Sequence, residues 1–274
     1  MPIDWSFKLT AAALEAVEGG LAIARSRAGA ADITSKGGRD LVTATDVAVE
    51  DAIRERLADI GHPVVGEERG GDPPTDGSPY WLVDPICGTR NFASGIPLWC
   101  VNLALVEDHH VTIAAVGDGS TGEVCVAERG AGAFAREAGG VEWLRLATSA
   151  ESQAVAIEDS RSAGARREDA ARYLEAAVCE DRWDLRALGT SLSLAHVAAG
   201  RMAGYVLFWS TPIHCAAGVL LASEAGATVS QVDGWPWTLE SDWLVVSAAP
   251  EVHRELLRIA RSVADEATQV PESS

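Results

Sequence analysis

Apolar positions recur at helical spacing over residues 5–28, where Leu9, Ala12, Ala13, Ala16, Val17, Leu21, Ile23 and Ala24 predict a long first helix. The stretch "GGRDLVTATD" predicts a turn and a short extended piece. Thr45 then stands where it can cap a second helix, Asp46 to about Ile60, with Asp46 in the electropositive first turn. Two short apolar runs follow, "HPVVGEE" and "YWLVDP". Each ends in acids, as buried strands do when they deliver carboxylates at their C-terminal ends. Residues 100–135 alternate β runs with turn residues and predict an antiparallel meander of three or four strands. Beyond about residue 147 the pattern changes to alternation. Strands are expected in "QAVAIED", "RWDLRAL", "MAGYVLFW" and "DWLVVSA", and helices over 166–177, 191–200, 212–226 and 250–265. This predicts an α+β half, 1–147, followed by an α/β half, 148–274, the two completing one site.

Charge and composition narrow the function. With 274 residues the chain can bury a substantial core, and its net charge of −18 would repel nucleic acid or an anionic membrane surface as a main partner. The longest apolar run, 212–222, is about half the roughly 20 residues a bilayer span needs, and it holds His214. The N-terminal segment is acidic and amphipathic, unlike a signal peptide. The five cysteines are odd in number and contain no CxxC pair, so a cytoplasmic chain with reduced thiols is expected. Cys100 and Cys215 are expected in the core, and His109-His110 at a solvent-facing hairpin turn.

The candidate chemistry lies at element ends. Asp46, Glu67-Glu68 and Asp84 can converge as hard oxygen ligands for Mg2+; alternatively Glu67-Glu68 is a solvated loop pair and Asp46 a favourable first-turn charge. Gly88-Thr89, placed after a strand and opening a short helix, can offer backbone N–H groups to a phosphate and a hydroxyl to a water, or can simply cap that helix. Spacing alone leaves both pairs of readings open.

Taken together and in order, "KGGRDLVTATDVAVEDAI", "GEE", "DPICGTRNF", "GTSLSLAHVAAGR" at 189–201 and "IHCAAGVLLASEAG" resemble the inositol monophosphatase-like family of metal-dependent sugar-phosphate phosphatases. The resemblance runs over nearly the whole chain. It implies a layered α/β/α/β/α sandwich, a homodimer, a small phosphorylated substrate, and two or three Mg2+ ions that neutralise phosphate and acidify an attacking water. Carried onto this sequence, it makes Glu67, Asp84 and the backbone carbonyl of Ile86 ligands of the first metal. Thr89 and Glu67 would position the water, and the N–H groups of Gly88 and Thr89 would hold phosphate oxygens. Asp46 matches the acid that supports an outer ion through water, and Lys36 matches the basic position before it; Lys36 and Lys8 are the only lysines.

The sequence also departs from the family. Where the family motif reads Asp-Pro-Ile-Asp-Gly-Thr, the second Asp is Cys87, and its later Trp-Asp pair is Ile213-His214 here. Both missing carboxylates are second-metal ligands in the family. A set of Asp84, Cys87 and His214 would instead offer O, S and N donors, suited to Zn2+ or Mn2+ rather than a second Mg2+. The alternatives are that Cys87 is a small buried hydrophobe and that His214 is a first-turn helix residue or a general base. Where the family grips substrate hydroxyls, this chain has Ala203 and Leu207, followed by Phe208-Trp209. An apolar wall with Leu207 and Trp209 as substrate contacts is therefore expected, together with a phosphorylated substrate other than inositol phosphate. Three readings result: a divergent phosphomonoesterase using Glu67, Asp84, Thr89 and His214; the same fold running another reaction through a rebuilt His/Cys site; and a non-catalytic phosphate-binding member.

Overall fold

In the computed structural model, which describes residues 8–28, 33–37, 40–159 and 165–269, the apolar runs sort into two sheets with helices between and outside them. The chain begins with α1 (Lys8–Ser26), a hairpin of β1 (Ile33–Gly37) and β2 (Asp40–Thr43), and α2 (Ala44–Leu57). A seven-stranded sheet follows in sequence order: β3 (Val64–Gly66), β4 (Tyr80–Cys87), β5 (Cys100–Glu107), β6 (His110–Asp118), β7 (Val124–Glu128), β8 (Gly132–Arg136) and β9 (Leu144–Arg145). The β3–β4 pair is parallel and every other pair is antiparallel. The short helix α3 (Thr89–Ala93) sits between β4 and β5.

The remaining chain adds β10 (Ala154–Asp159), α4 (Ala165–Glu180), β11 (Asp184–Arg186), α5 (Leu192–Ala198), β12 (Gly204–Phe208), α6 (Pro212–Glu224), β13 (Thr228–Ser230), β14 (Trp243–Ser247) and α7 (Pro250–Gln269). Its sheet has the order β11-β10-β12-β14-β13, with β10 parallel to both neighbours and β14 antiparallel to both of its own.

Burial patterns explain the layering. α1 and α2 each bury one stripe: Val17, Leu21, Val49 and Ile53 pack with Trp81, Val83, Leu103 and Leu105 on one face of the large sheet. α6 is buried along Cys215–Ala222, on every side, as a helix must be when sheets cover it front and back. Together with α5 it fills the space between the two sheets, in one core that takes residues from both. α4 and α7 cover the outer face of the smaller sheet, where Tyr173, Phe208, Val245 and Leu256 meet. The result is the five-layered α/β/α/β/α sandwich that the sequence motifs implied. No helix among the described residues is long and apolar enough to cross a membrane.

Several details differ from expectation. The cap of α2 is Thr43, not Thr45. Its hydroxyl accepts from the N–H groups of Thr45 (3.2 Å) and Asp46 (3.3 Å), and Asp46 Oδ2 accepts from the Thr43 N–H at 2.9 Å, so the helix starts at Ala44. This reciprocal box satisfies more orphan donors than a cap at Thr45 could. The helix ends at Leu57, and a 3-10 turn over Ala58–Ile60 gives way to Gly61 at φ 80°. Strands β9 and β13, two and three residues long, carry too short a pattern to show periodicity. His109 and His110 are solvent-exposed at the β5–β6 turn, and Cys100 and Cys215 are fully buried.

Gly218 lets α6 lie against α5: a Cβ there would come within 2.5 Å of the Leu194 Cβ. Gly218→Ala is expected to destabilise the protein by about 1–3 kcal/mol through overpacking, despite the better helix propensity of alanine. Urea unfolding followed by circular dichroism measures this, and a gain in stability would show that the helices can separate freely.

Candidate active site

The site is built on an irregularity in β4. Asp84 lies opposite Asn102 of β5, but Cys87 lies opposite Cys100, so three steps on β4 match two on β5 and the register shifts between them. In a regular strand residues i and i+3 face opposite sides. The extra residue, in the Pro85-Ile86 segment, is a β-bulge that turns Cys87 back to the side of Asp84, facing α5 and α6. Ile86 meanwhile packs into the core on the α1–α2 side.

α6 supplies the third member. Thr211 stands at the N-cap position with extended backbone, Pro212 opens the helix, and His214 follows in the first turn. The His214 Nδ1 lies 3.3 Å from Cys87 Sγ and 3.5 Å from Asp84 Oδ2. One ligand atom from each residue falls within 4.8 Å of the others. Asp84 and Cys87 are buried, His214 is 24% exposed and opens the group to solvent, and Asp84 Oδ1 is buried without a hydrogen-bond partner.

The sulfur is held as an acceptor. The backbone N–H of Ser191, at the start of α5, donates to it at 3.0 Å and the Ser191 hydroxyl at 2.9 Å; Asn102 Nδ2 in turn donates to the Ser191 Oγ at 2.7 Å. Burial favours the neutral thiol, but hydrogen bonding from Cys100, the charge and contact of His214 and the Ser191 hydroxyl outweigh it and hold the Cys87 thiol well below its ordinary value. Burial likewise opposes an imidazolium at His214, yet Cys87 and Asp84 raise it well above its usual range. Asp84 is pushed up by burial, then by the negative charges of Cys87 and Glu67.

On the other side of Asp84, Thr89 Oγ1 sits 3.0 Å from the Ile86 carbonyl and 3.2 Å from Asp46 Oδ1. Asp46 is buried, and both its oxygens are engaged within the protein, one by its helix cap and one by Thr89. Burial raises its carboxyl above the ordinary carboxylate range, against its Thr43 and Thr89 hydrogen bonds. Glu67 begins the turn after β3, its N–H bonded to the Val83 carbonyl at 3.1 Å, close enough for its charge to act on Asp84. Gly88 has φ 97°, a left-handed turn that leads directly into α3. The backbone of Lys36 lies in β1, while its side chain is outside the described residues.

The apolar wall expected at 207–209 is largely overturned. Leu207 is 1% exposed and packs in the core between the sheets, whereas Phe208 turns to the opposite face against Tyr173 and Trp243. Consecutive strand residues point to opposite faces, so the two could not share one wall. Ala203 is also fully buried. Trp209 alone of this stretch reaches solvent, 37% exposed and at φ 79°, a strained setting for a bulky side chain.

Four supporting residues escaped the sequence reading. Glu50, fully buried, accepts from the N–H groups of Glu68 (2.7 Å) and Arg69 (3.1 Å) and thereby fixes the turn that carries Glu67. Ser191 and Asn102 hold the Cys87 sulfur, and Glu158 Oε1 accepts from the N–H groups of Leu188 (2.6 Å) and Gly189 (2.9 Å), anchoring the entry to α5. Only "GTS" at 189–191, just before a helix, carried a local signal.

The comparisons agree with this architecture. The inositol monophosphatase family profile matches residues 5–265. An inositol-1-monophosphatase of Rhizobium meliloti is 36% identical over 222 residues, 78% of this chain and 80% of its own length. One from Mesorhizobium japonicum is 33% identical, covering 84% of this chain and 86% of its own. The Nus factor SuhB of Haemophilus influenzae is 31% identical over 86% of this chain and 88% of its own. Among solved structures, the Thermotoga maritima IMPase superposes with a TM-score of 0.79 at 25% identity, covering 92% of this chain and 96% of its own. Mycobacterium tuberculosis SuhB gives 0.74 at 28% identity over 93% and 96%. The chain belongs to the inositol monophosphatase family and is a phosphatase; the family is metal-dependent, generally using Mg2+.

Glu158→Ala removes the charged acceptor of the partly buried Leu188 and Gly189 N–H groups and is expected to cost about 1.5–3 kcal/mol, the range for hydrogen bonds to a charged group. Glu158→Gln keeps an acceptor oxygen and should recover more than half of the loss. Denaturant midpoints of the two variants provide the check, and equal losses would show that Glu158 does not anchor this loop.

Proposed function

We propose that this chain is a phosphomonoesterase whose hard-oxygen half, Glu67, Asp84, the Ile86 carbonyl and Thr89, is retained, and whose substrate is a small phosphorylated metabolite other than inositol phosphate. The observation that carries the first part is the buried Asp84 Oδ1, which has no hydrogen-bond partner, within reach of the Glu67 charge. An orphaned carboxylate oxygen in a buried site is an acceptor that a cation satisfies, and an all-oxygen donor set suits Mg2+. When bound there, the ion neutralises phosphate charge and acidifies a water.

The chain's own groups then do the following. Thr89 has one hydroxyl proton and two neighbouring acceptors, Asp46 Oδ1 and the Ile86 carbonyl. Donating to either one turns its lone pairs toward a water at the site, and Asp46, fixed by its cap to Thr43, keeps the hydroxyl from rotating away. Glu67 takes up the water's proton. The N–H groups of Gly88 and Thr89, at the turn into α3, hold the phosphate oxygens.

The substrate part rests on β12. Positions 203 and 207, where the family resemblance expects hydroxyl-gripping acids, are buried Ala203 and Leu207, so β12 presents a polyol with no carboxylate; the partly exposed Trp209 offers an aromatic face just beyond the strand. The relatives named inositol-1-monophosphatase set the comparison for this proposal.

Phosphate release from a panel of monoesters, among them inositol 1-phosphate, aliphatic sugar phosphates and aryl-bearing phosphates, tests both parts with Mg2+ and Mn2+. Aryl-bearing esters are expected to give the highest kcat/KM. Glu67→Gln should lower turnover by about 10²–10⁴-fold, and Trp209→Ala should raise KM for aryl esters more than it lowers kcat. Absence of release from every ester sinks the hydrolytic reading; preference for inositol 1-phosphate sinks the substrate reading alone.

A further inference from the structure

The second half of the site does not fit the family's usual ion. Mg2+ is a hard cation that demands oxygen ligands in near-ideal octahedral geometry, and Cys87 and His214 replace two of those oxygens with sulfur and nitrogen. We infer that Asp84, Cys87 and His214 form a separate mixed O/S/N site that takes a borderline-soft divalent cation of the Zn2+ class in preference to Mg2+.

The geometry suits such an ion. Zinc bonds are about 2.3 Å to sulfur and about 2.0–2.1 Å to nitrogen or oxygen, so donors around a tetrahedral zinc sit about 3.4–3.6 Å apart. Two edges of the triad, 3.3 Å from Cys87 Sγ to His214 Nδ1 and 3.5 Å from His214 Nδ1 to Asp84 Oδ2, need little adjustment, and all three donor atoms lie within 4.8 Å of one another. Three protein donors leave a fourth position open, and His214, 24% exposed, places that opening toward solvent.

The surroundings suit it too. A metal-bound sulfur is a thiolate, and the Ser191 N–H can only donate, so its 3.0 Å contact together with the 2.9 Å hydroxyl contact stabilises the anionic sulfur. Asn102 orients that hydroxyl from behind, the kind of outer contact that tunes a metal site. The bulge in β4 is what allows Asp84 and Cys87 to face one point at all. His214 is presented by the first turn of α6, with its Nδ1 turned to both Cys87 and Asp84.

The inference rests on the phosphatase reading only for where the substrate approaches. Full-length protein stripped of metal is titrated with Zn2+ and Co2+ in the presence of excess Mg2+. Wild type should take up one zinc per chain that excess Mg2+ does not displace. The cobalt form should show a sulfur-to-cobalt charge-transfer band, and zinc-edge X-ray absorption should report one sulfur and at least one imidazole neighbour. Cys87→Ser should abolish the band, and Ser191→Ala, which keeps all three ligands, should weaken zinc affinity by about 10–100-fold. Failure to take up zinc, displacement of zinc by Mg2+, or bound cobalt without the sulfur band overturns the inference even if esters are hydrolysed with Mg2+. Zinc uptake with sulfur ligation but no hydrolysis of any ester supports it and removes the phosphatase reading instead.

Discussion

The register shift between Asp84 and Cys87 is the constraint on which the site depends. Strand geometry sends residues three apart to opposite faces, and one residue of slack in the Pro85-Ile86 segment reverses that. Without it Asp84 would face α5 and α6, while Cys87 would point into the α1–α2 core in the place Ile86 now fills. Proline, which offers no N–H to the ladder, is well suited to a point where pairing is interrupted. Immediately afterwards Gly88 takes a left-handed turn into α3, so chain direction, the facing of Asp84 and Cys87 and the start of the helix are all set within five residues.

The rest of the fold brings partners to this point. α6 is buried on all sides because it lies between sheets, and that position puts its first turn, with His214, over the end of β4. The loop into α5 is pinned by Glu158, and this places both the N–H and the hydroxyl of Ser191 at the Cys87 sulfur. Burial opposes charge on the Cys87 sulfur and on the His214 ring alike, and each offsets that penalty for the other, 3.3 Å apart. The pair is therefore interdependent: without His214 the Cys87 thiol loses contacts that hold it below its ordinary value, and without Cys87 the imidazole loses the first of the groups that raise it.

The two halves of the site differ in chemical hardness while sharing Asp84. Glu67, the Ile86 carbonyl and Thr89 lie toward Asp46 and α2, and Cys87 and His214 lie toward α5 and α6. A carboxylate accepts on either side, so one residue can serve both a Mg2+-type oxygen cluster and a softer neighbour. Sulfur and nitrogen stand here where the family motif has carboxylate oxygens.

Much of the architecture was legible in the sequence, because long elements carry their own period. The stripe of α1, the apolar run of α6 and the meander from Cys100 to Arg136 all declared themselves, and family motifs named Glu67, Asp84, Gly88 and Thr89 as candidates. The substitutions Cys87 and His214 were visible as residues. Their contact was not, because 127 positions separate them and no local pattern encodes a distance. Nor did the sequence show that Leu207 and Phe208 face opposite layers, that Thr43 rather than Thr45 caps α2, or that Glu50, Asn102, Ser191 and Glu158 hold the site from behind. The sequence by itself determined periodicity, turn chemistry and which donor atoms are present, since these belong to individual residues and near neighbours. Only the tertiary structure decided which donors meet, because that depends on a one-residue bulge and on how two sheets close around α5 and α6.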